Sequence, residues 1–329
     1  MAADDINAKG GVLGQKIEVT DYDTQTNPSV SRSAVQKALD DGPYAVVGPI
    51  YSGSVKVNMQ ITQAAKIAQF TGAAAADITQ MNNPYIFRMA FSQTNSMPRV
   101  ARYIAEDLKA KTVAVVWVND DMGKGGHETI APELEKRGLK VVADLPVEAN
   151  QASFTPDVVK IRGAKPDAIF VYMHEEENTR FLKEIRKQGG KAPLVGETTL
   201  MNAQTVQLAG DAANGVVGNV MLSPDADVPA VKDFAKRFTE RFKTAPDHNA
   251  MQGYMAVWLV KAATEKMGKP DAARLADTLH GITVSTNDQP GILLDTTVLA
   301  NGDVDRQSFM VEVVDGKAVV KSTLPKLGN

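Results

Sequence analysis

The sequence contains no cysteine. Disulfides, thiolate metal sites and a cysteine nucleophile are therefore excluded, and cysteine usage leaves the redox compartment open. Histidine is scarce as well. His127, His174, His248 and His280 lie far apart, and the position four residues after His174 is Asn178, so the helical zinc motif is missing. No apolar run is long enough to span a bilayer. Neither sign of charge dominates, with 36 basic and 39 acidic residues and a net charge of −3. With no basic stripe interleaved by aromatics, nothing favours nucleic acid or an anionic membrane surface. No secretory leader is read at the start, which opens MAADDINAKGG in an amphipathic pattern.

Motifs of common chemistry are missing too. Gly123-Lys124-Gly125-Gly126 lacks the upstream glycine and the following Ser or Thr of a phosphate loop. No G-x-G-x-x-G follows a strand, and no G-x-S-x-G surrounds Ser52. Glu175, Glu176 and Glu177 could imitate a ligand cluster, but acids in the first turn of a helix suit its dipole, and that plainer account is preferred. Asp120-Asp121 reads equally as a helix cap. The expectation is a protein without cofactor, metal or catalytic residue, and not an enzyme.

What is present is an ordinary globular composition, 43% hydrophobic and 23% charged over 329 residues, long enough for two domains. Strand-like and helix-like stretches alternate, and the strands are apolar throughout. That is the pattern of doubly wound parallel α/β sheets. Strands are expected at 17–20, 45–47, 67–70, 85–88, 112–118, 139–143, 168–172, 194–195, 216–222, 291–294, 309–314 and 318–320. Helices are expected at 2–8, from Asn27-Pro28 to Asp41-Gly42, at 98–108, 123–137 and from Thr155-Pro156-Asp157. Others follow at 175–188, 229–242, 250–267 and 272–279. The pattern resets near Phe91, so two similar α/β lobes are inferred.

The most informative stretch runs from Tyr44 to Ala76. An apolar strand, Ala45-Val46-Val47, leads through Gly48-Pro49 into Tyr51-Ser52-Gly53-Ser54 and a helix with Val57, Ile61, Ala64 and Ala65 on one face. A second strand ends in Thr71-Gly72 and four alanines. Both turns fall at the carboxyl ends of strands that are expected to be parallel neighbours, the edge where open α/β sheets bind ligands. A serine turn opening a helix offers hydroxyls and free N–H groups to an anion. Capping by Ser52 and Ser54 would explain one such turn. Two on adjacent strands, the second stripped to alanine, point to a site.

Several strings together carry a resemblance: DINAKGGVLGQKIEV, AVVGPIYSGS, TGAAAA, NPYIFRMAFS, AVVWVNDDMGKG, PDAIFVY, GYMAVWLV and LANGDV…VEVVDGK. In this order, over the whole chain, they resemble the type I periplasmic solute-binding proteins of ABC transporters, in the group that binds branched-chain amino acids. The resemblance implies two Rossmann-like lobes joined by three crossings, near Ala90, Leu222 and Val304. Lobe one would comprise 1–90 and 223–303, and lobe two 91–222 and 304–329. Ligand would be held in the cleft between them by hinge closure. It also implies a further strand, central in lobe one and preceding the first helix, that is not seen in this sequence. Without it that sheet has an open edge, through which the protein would be unstable or oligomerise.

The resemblance assigns the carboxylate side of the ligand to Tyr51 and Ser52, with Ala73, Ala74 and Ala75 in the second turn. The family's frequent threonine is replaced at Ala75. On the lobe-two side it assigns Met122 and His174, where aromatic residues are frequent. It places Thr198, beside Glu197, where an acid usually grips the ligand's ammonium. A periplasmic, monomeric binding protein is implied, working with an ABC permease. Its ligand would be a small organic carboxylate, amino acid or aromatic or keto acid, with a polar or aromatic distal group rather than plain leucine. A ligand-sensing receptor domain of the same fold is the alternative, and an α/β enzyme a third reading.

Overall fold

The computed structural model describes residues 1–326, and they fall into two compact units. The first comprises 1–92, 227–307 and the C-terminal residues from 325. The second comprises 93–226 and 308–324.

The chain begins in the first unit with α1 (Ala2–Asn7) and α2 (Pro28–Asp40). Asn27 caps α2, its side chain accepting from the N–H groups of Ser29 and Val30, with Pro28 in the first turn. Then follow β1 (Val46–Val47), α3 (Ser52–Ala65), β2 (Gln69–Thr71) and β3 (Ile86–Arg88). These strands form a parallel sheet in the order β1-β2-β3. The stretch 17–20 pairs with no strand among the described residues, contrary to the alternating strand expected there. The Asn7 side chain holds its start, donating to the Ile17 carbonyl at 2.9 Å and accepting from its N–H at 2.8 Å. β1 is thus an edge strand, and Val47 is half exposed.

The buried face of α3 also differs from expectation. Val55 and Met59 point inward together with Ser54, Asn58 and Thr62, whereas Val57 and Ile61 are only partly covered and Ala64 and Ala65 are exposed. Two of these polar side chains find partners across the interior. Asn58 donates to Ser31 Oγ at 2.9 Å, and Thr62 donates to Gln69 Oε1 at 2.7 Å.

In the second unit the elements are α4 (Gln93–Arg102), β4 (Thr112–Val118), α5 (Asp121–Lys136), β5 (Lys140–Val147), α6 (Thr155–Ala164), β6 (Ala168–Tyr172), α7 (Glu175–Lys187), β7 (Leu194–Glu197), α8 (Ala203–Ala209) and β8 (Val217–Val220). α4 starts five residues before the expected Pro98, which lies inside it, and is continued by a π-turn at Tyr103–Asp107. α6 starts at Thr155, as expected, with Phe154 as its N-cap.

The chain then supplies the first unit with α9 (Pro229–Phe242), α10 (His248–Met267), α11 (Ala272–Leu279), β9 (Thr283–Val284), β10 (Thr296–Val298) and β11 (Val304–Asp305). The last three make a small antiparallel sheet. The apolar run at 291–294 is a 3₁₀ turn rather than a strand, because Pro290 opens it and Leu293 takes a left-handed φ of 59°. Finally β12 (Ser308–Val314) and β13 (Lys317–Leu324) join the second unit.

The second unit's sheet has the order β13-β12-β8-β7-β6-β4-β5. β5, β4, β6, β7 and β8 are parallel, and the β12–β13 hairpin closes one edge antiparallel. β6 is buried along its whole length, as a strand covered on both faces should be. From β4 the connections run outward to β5 on one side and, through β6, to β7 and β8 on the other. The strand order therefore reverses between β4 and β6, and in such sheets the crevice at the strands' carboxyl ends is the ligand edge.

Candidate functional site

In the first unit the two expected turns are neighbours, because β1 and β2 pair in parallel, Val46 with Gln69 and Val47 with Phe70. α3 starts at Ser52, with Tyr51 as an N-cap that makes no side-chain capping bond. The serines are therefore not the caps. The N–H groups of Ser52, Gly53 and Ser54 open the helix, where the dipole favours an anion. Ser52 is buried, and its Oγ accepts from the Ala75 N–H at 3.3 Å, which joins the two turns. Thr71 adds a second tie. Its hydroxyl donates to the Pro49 carbonyl at 2.7 Å and accepts from the Ala73 N–H at 3.1 Å.

The alanine turn is shaped from beneath by Arg88, which is fully buried. Its Nη1 donates to the carbonyls of both Ala73 and Ala75 at 2.8 Å. Nη2 donates to Thr79 Oγ1 at 3.0 Å, and Nε pairs with Asp303 Oδ1 at 2.7 Å. Gly302, which precedes Asp303, has a φ of +86°, and a Cβ there would lie 2.1 Å from the Ile86 carbonyl oxygen, so only glycine fits. Peptide units are planar and trans. With the Ala73 carbonyl turned onto Arg88, the N–H of Ala74 faces the opposite way. Ala73 and Ala75 are buried and their N–H groups are engaged within the unit, whereas Ala74 is partly exposed. The turn thus presents Ala74's N–H above a buried guanidinium.

In the second unit the loops after β4 and β6 flank the reversal of strand order, and a hydrogen bond joins them. His174 Nε2 and Asp120 Oδ2 are 2.6 Å apart. Asp120 is the N-cap of α5, and its Oδ1 accepts from the Gly123 N–H at 2.9 Å. Burial alone would raise the Asp120 carboxyl, but the His174 hydrogen bond and the Gly123 N–H prevail and hold it below its ordinary value. Burial likewise opposes the charge on His174, yet Asp120, with Glu175 and Glu177, raises its pKa above the ordinary range. Met122 sits in the first turn of α5, nearly buried. Its carbonyl accepts from Gln93 Nε2 at 2.7 Å, and the same nitrogen lies 3.0 Å from the Tyr172 hydroxyl.

Glu197 ends β7 and is buried. Burial pushes its carboxyl up to about 7, against hydrogen bonds from Thr198 and Ser96. Thr198 is partly exposed beside it. Glu175, Glu176 and Glu177 occupy the first turn of α7. Among the described residues no acidic or histidine cluster forms a metal cage.

The expected residues therefore gather in two places, Tyr51, Ser52 and Ala73–Ala75 in the first unit and Met122, His174, Glu197 and Thr198 in the second. Sequence reasoning missed Arg88, Asp303, Gln93 and Tyr172, and it read Asp120 as a helix cap, which it is, without its bond to His174. Arg88 left a trace, a charge inside the apolar run Ile86-Phe87-Arg88-Met89. The pairing of Asp120 with His174 left none, the two being 54 residues apart.

Comparison with known proteins follows the same lines. A family model described as periplasmic binding protein matches residues 1–318. A leucine-, isoleucine-, valine-, threonine- and alanine-binding protein of Pseudomonas aeruginosa is 26% identical over 287 residues, covering 87% of this chain and 77% of that protein. A branched-chain amino acid transporter substrate-binding protein of Streptococcus pneumoniae, solved with isoleucine, superposes with a TM-score of 0.89 at 24% identity, over 99% of this chain and 92% of its own. An ABC-transporter solute-binding protein of Rhodopseudomonas palustris, solved with 3,4-dihydroxybenzoic acid, gives a TM-score of 0.88 at 24% identity, over 98% and 91%. At these identities the two structures speak to the fold.

Proposed function

The chain belongs to the periplasmic binding protein family, and we propose that it is the extracytoplasmic solute-binding component of an ABC importer, capturing a small organic carboxylate. No described helix is long and apolar enough to cross a membrane. The observation that carries the reading is the pair of strand-end turns in the first unit. The open first turn of α3 and the Ala74 N–H converge on one edge, tied by Ser52, with the Arg88 guanidinium behind them. Free N–H groups at a helix N-terminus and strand-end turn suit an anion. Amino acids and aromatic acids, which the relatives and structural neighbours bind, share a carboxylate. The Ser52–Ser54 and Ala74 groups hold that carboxylate. Met122 and the His174–Asp120 pair are the second unit's candidates for ligand contact, and the loaded form engages a permease. Binding rather than turnover is its task.

Mass spectrometry of the protein purified under native conditions tests this. A stoichiometric small carboxylate, released on denaturation and rebound unchanged, is the expected result. A ligand without an acidic group, or one converted on incubation, contradicts it.

A further inference from the structure

Gln252 projects from α10 and is 4% exposed. Its Oε1 is buried without a hydrogen-bond partner, and no hydrogen bond of its side chain is found among the described residues. That amide oxygen lies against the second strand-end turn, where a Cβ on Gly72 would come within 2.3 Å of it. Burying an unpaired amide costs stability, so an orphan at a ligand edge calls for a partner from outside. Other unpartnered buried atoms of this unit differ. Asn58, His280 and Arg306 make hydrogen bonds through other atoms of the same side chain, and Trp258 carries the ammonium groups of Lys9 and Lys261 near its ring.

Building on the carboxylate reading above, we propose that Gln252 reads a hydroxyl on the ligand. Its Oε1 accepts from the O–H of a carboxylic acid hydroxylated next to the carboxylate. Gly72 is two residues from Ala74, within about 8 Å along the backbone. A substituent on the carbon beside a carboxylate bound at Ala74 is thus within reach of the amide. A neutral donor suits this acceptor better than an ammonium. The nearby carboxylate of Asp303 is committed to Arg88 and Thr79, and Asp77 is paired with Lys56 at 2.9 Å. An ammonium desolvated here would have no free counter-charge in this unit's turn. Gly72 belongs to the same device, since any side chain there would displace the amide.

The test is calorimetry on the leucine skeleton in four forms (the hydroxy acid, the keto acid, the unsubstituted acid and the amino acid), with salicylate against benzoate. The hydroxy acid should bind about tenfold more tightly than its unsubstituted partner, the worth of one buried hydrogen bond. Gln252→Leu should erase that difference while leaving the unsubstituted acid unchanged. Gly72→Ala should do the same by a different route, which guards against a folding defect in either variant. Equal binding of the matched acids by the parent protein, preference for leucine, or a hydroxyl preference that survives Gln252→Leu overturns the proposal. If none of the acids binds, the carboxylate reading itself fails, and that outcome is distinct from the loss of hydroxyl selectivity.

Discussion

The Ser52 hydroxyl oxygen accepts the Ala75 N–H at 3.3 Å, so the loops after two adjacent parallel strands are held at one spacing. The bond consumes one Ser52 lone pair and leaves its proton to give to a ligand.

Ser52→Ala removes both the tie and the donor. A hydrogen bond to a charged group is worth about 1.5–3 kcal/mol, so carboxylate affinity should fall about tenfold or more. Titration calorimetry checks this. An unchanged dissociation constant would take Ser52 out of the site.

Arg88 serves two carbonyls, a hydroxyl and a carboxylate from a fully buried position. Arg88→Met takes a donor from all four and leaves the Asp303 carboxylate without its counter-charge, and breaking a buried pair of this kind costs about 3–5 kcal/mol. Thermal melting should show that loss. Arg88→Lys should recover only part, since an ammonium cannot reproduce the planar fork. A full rescue by lysine would mean that charge alone, and not the shaping of the alanine turn, is what Arg88 supplies.

His174 and Asp120 make stability depend on pH with a definite sign. His174 is raised above its ordinary 6.5, so its contribution is complete below that value and is lost as pH climbs through the higher folded value. Asp120 is lowered below 3.8, so its contribution is complete above 3.8 and is lost as pH falls through the lower folded value. Melting temperatures of the parent and Asp120→Asn should therefore differ most between about pH 4 and 6.5 and converge on the alkaline side. A constant difference from acid to alkali would show that the pair is not ionised as described.

Glu197 behaves oppositely to an ordinary surface acid. Its carboxyl is pushed from 4.5 to about 7, so folding favours the protonated form. The stability this gives is complete below 4.5 and is lost as pH rises through about 7. Glu197→Gln, which stays neutral, should match the parent at about pH 4 and exceed it by roughly 3 kcal/mol at about pH 8. Denaturant melts at the two pH values decide it. Equal gains at both would assign the effect to packing.

Much of the fold was legible because burial wrote it into the strands. Ala168–Tyr172 and Thr112–Val118 are apolar runs that suit only a covered sheet, and both are strands. The turns at Ser52 and Gly72 were legible because glycine, proline and small residues mark strand ends. What failed, failed where tertiary partners outweighed local pattern. The stretch 17–20 alternates like a strand but finds no ladder among the described residues, and α3 buries Asn58 and Thr62, which bond to Ser31 and Gln69. The site's supports were hidden for a related reason. Arg88 meets Asp303 across 215 residues, and Gln252 meets the Gly72 turn from a helix that is remote in sequence.

The central claim, that the turns at Ser52 and Ala74 hold a carboxylate, is tested most directly by titrating the purified protein with a bound acid and with its primary amide, which keeps the shape and removes the charge. Calorimetry should show the acid binding and the amide weaker by about a hundredfold, with the gap narrowing in Ser52→Ala. Equal affinity for acid and amide, in the parent protein, would contradict the account.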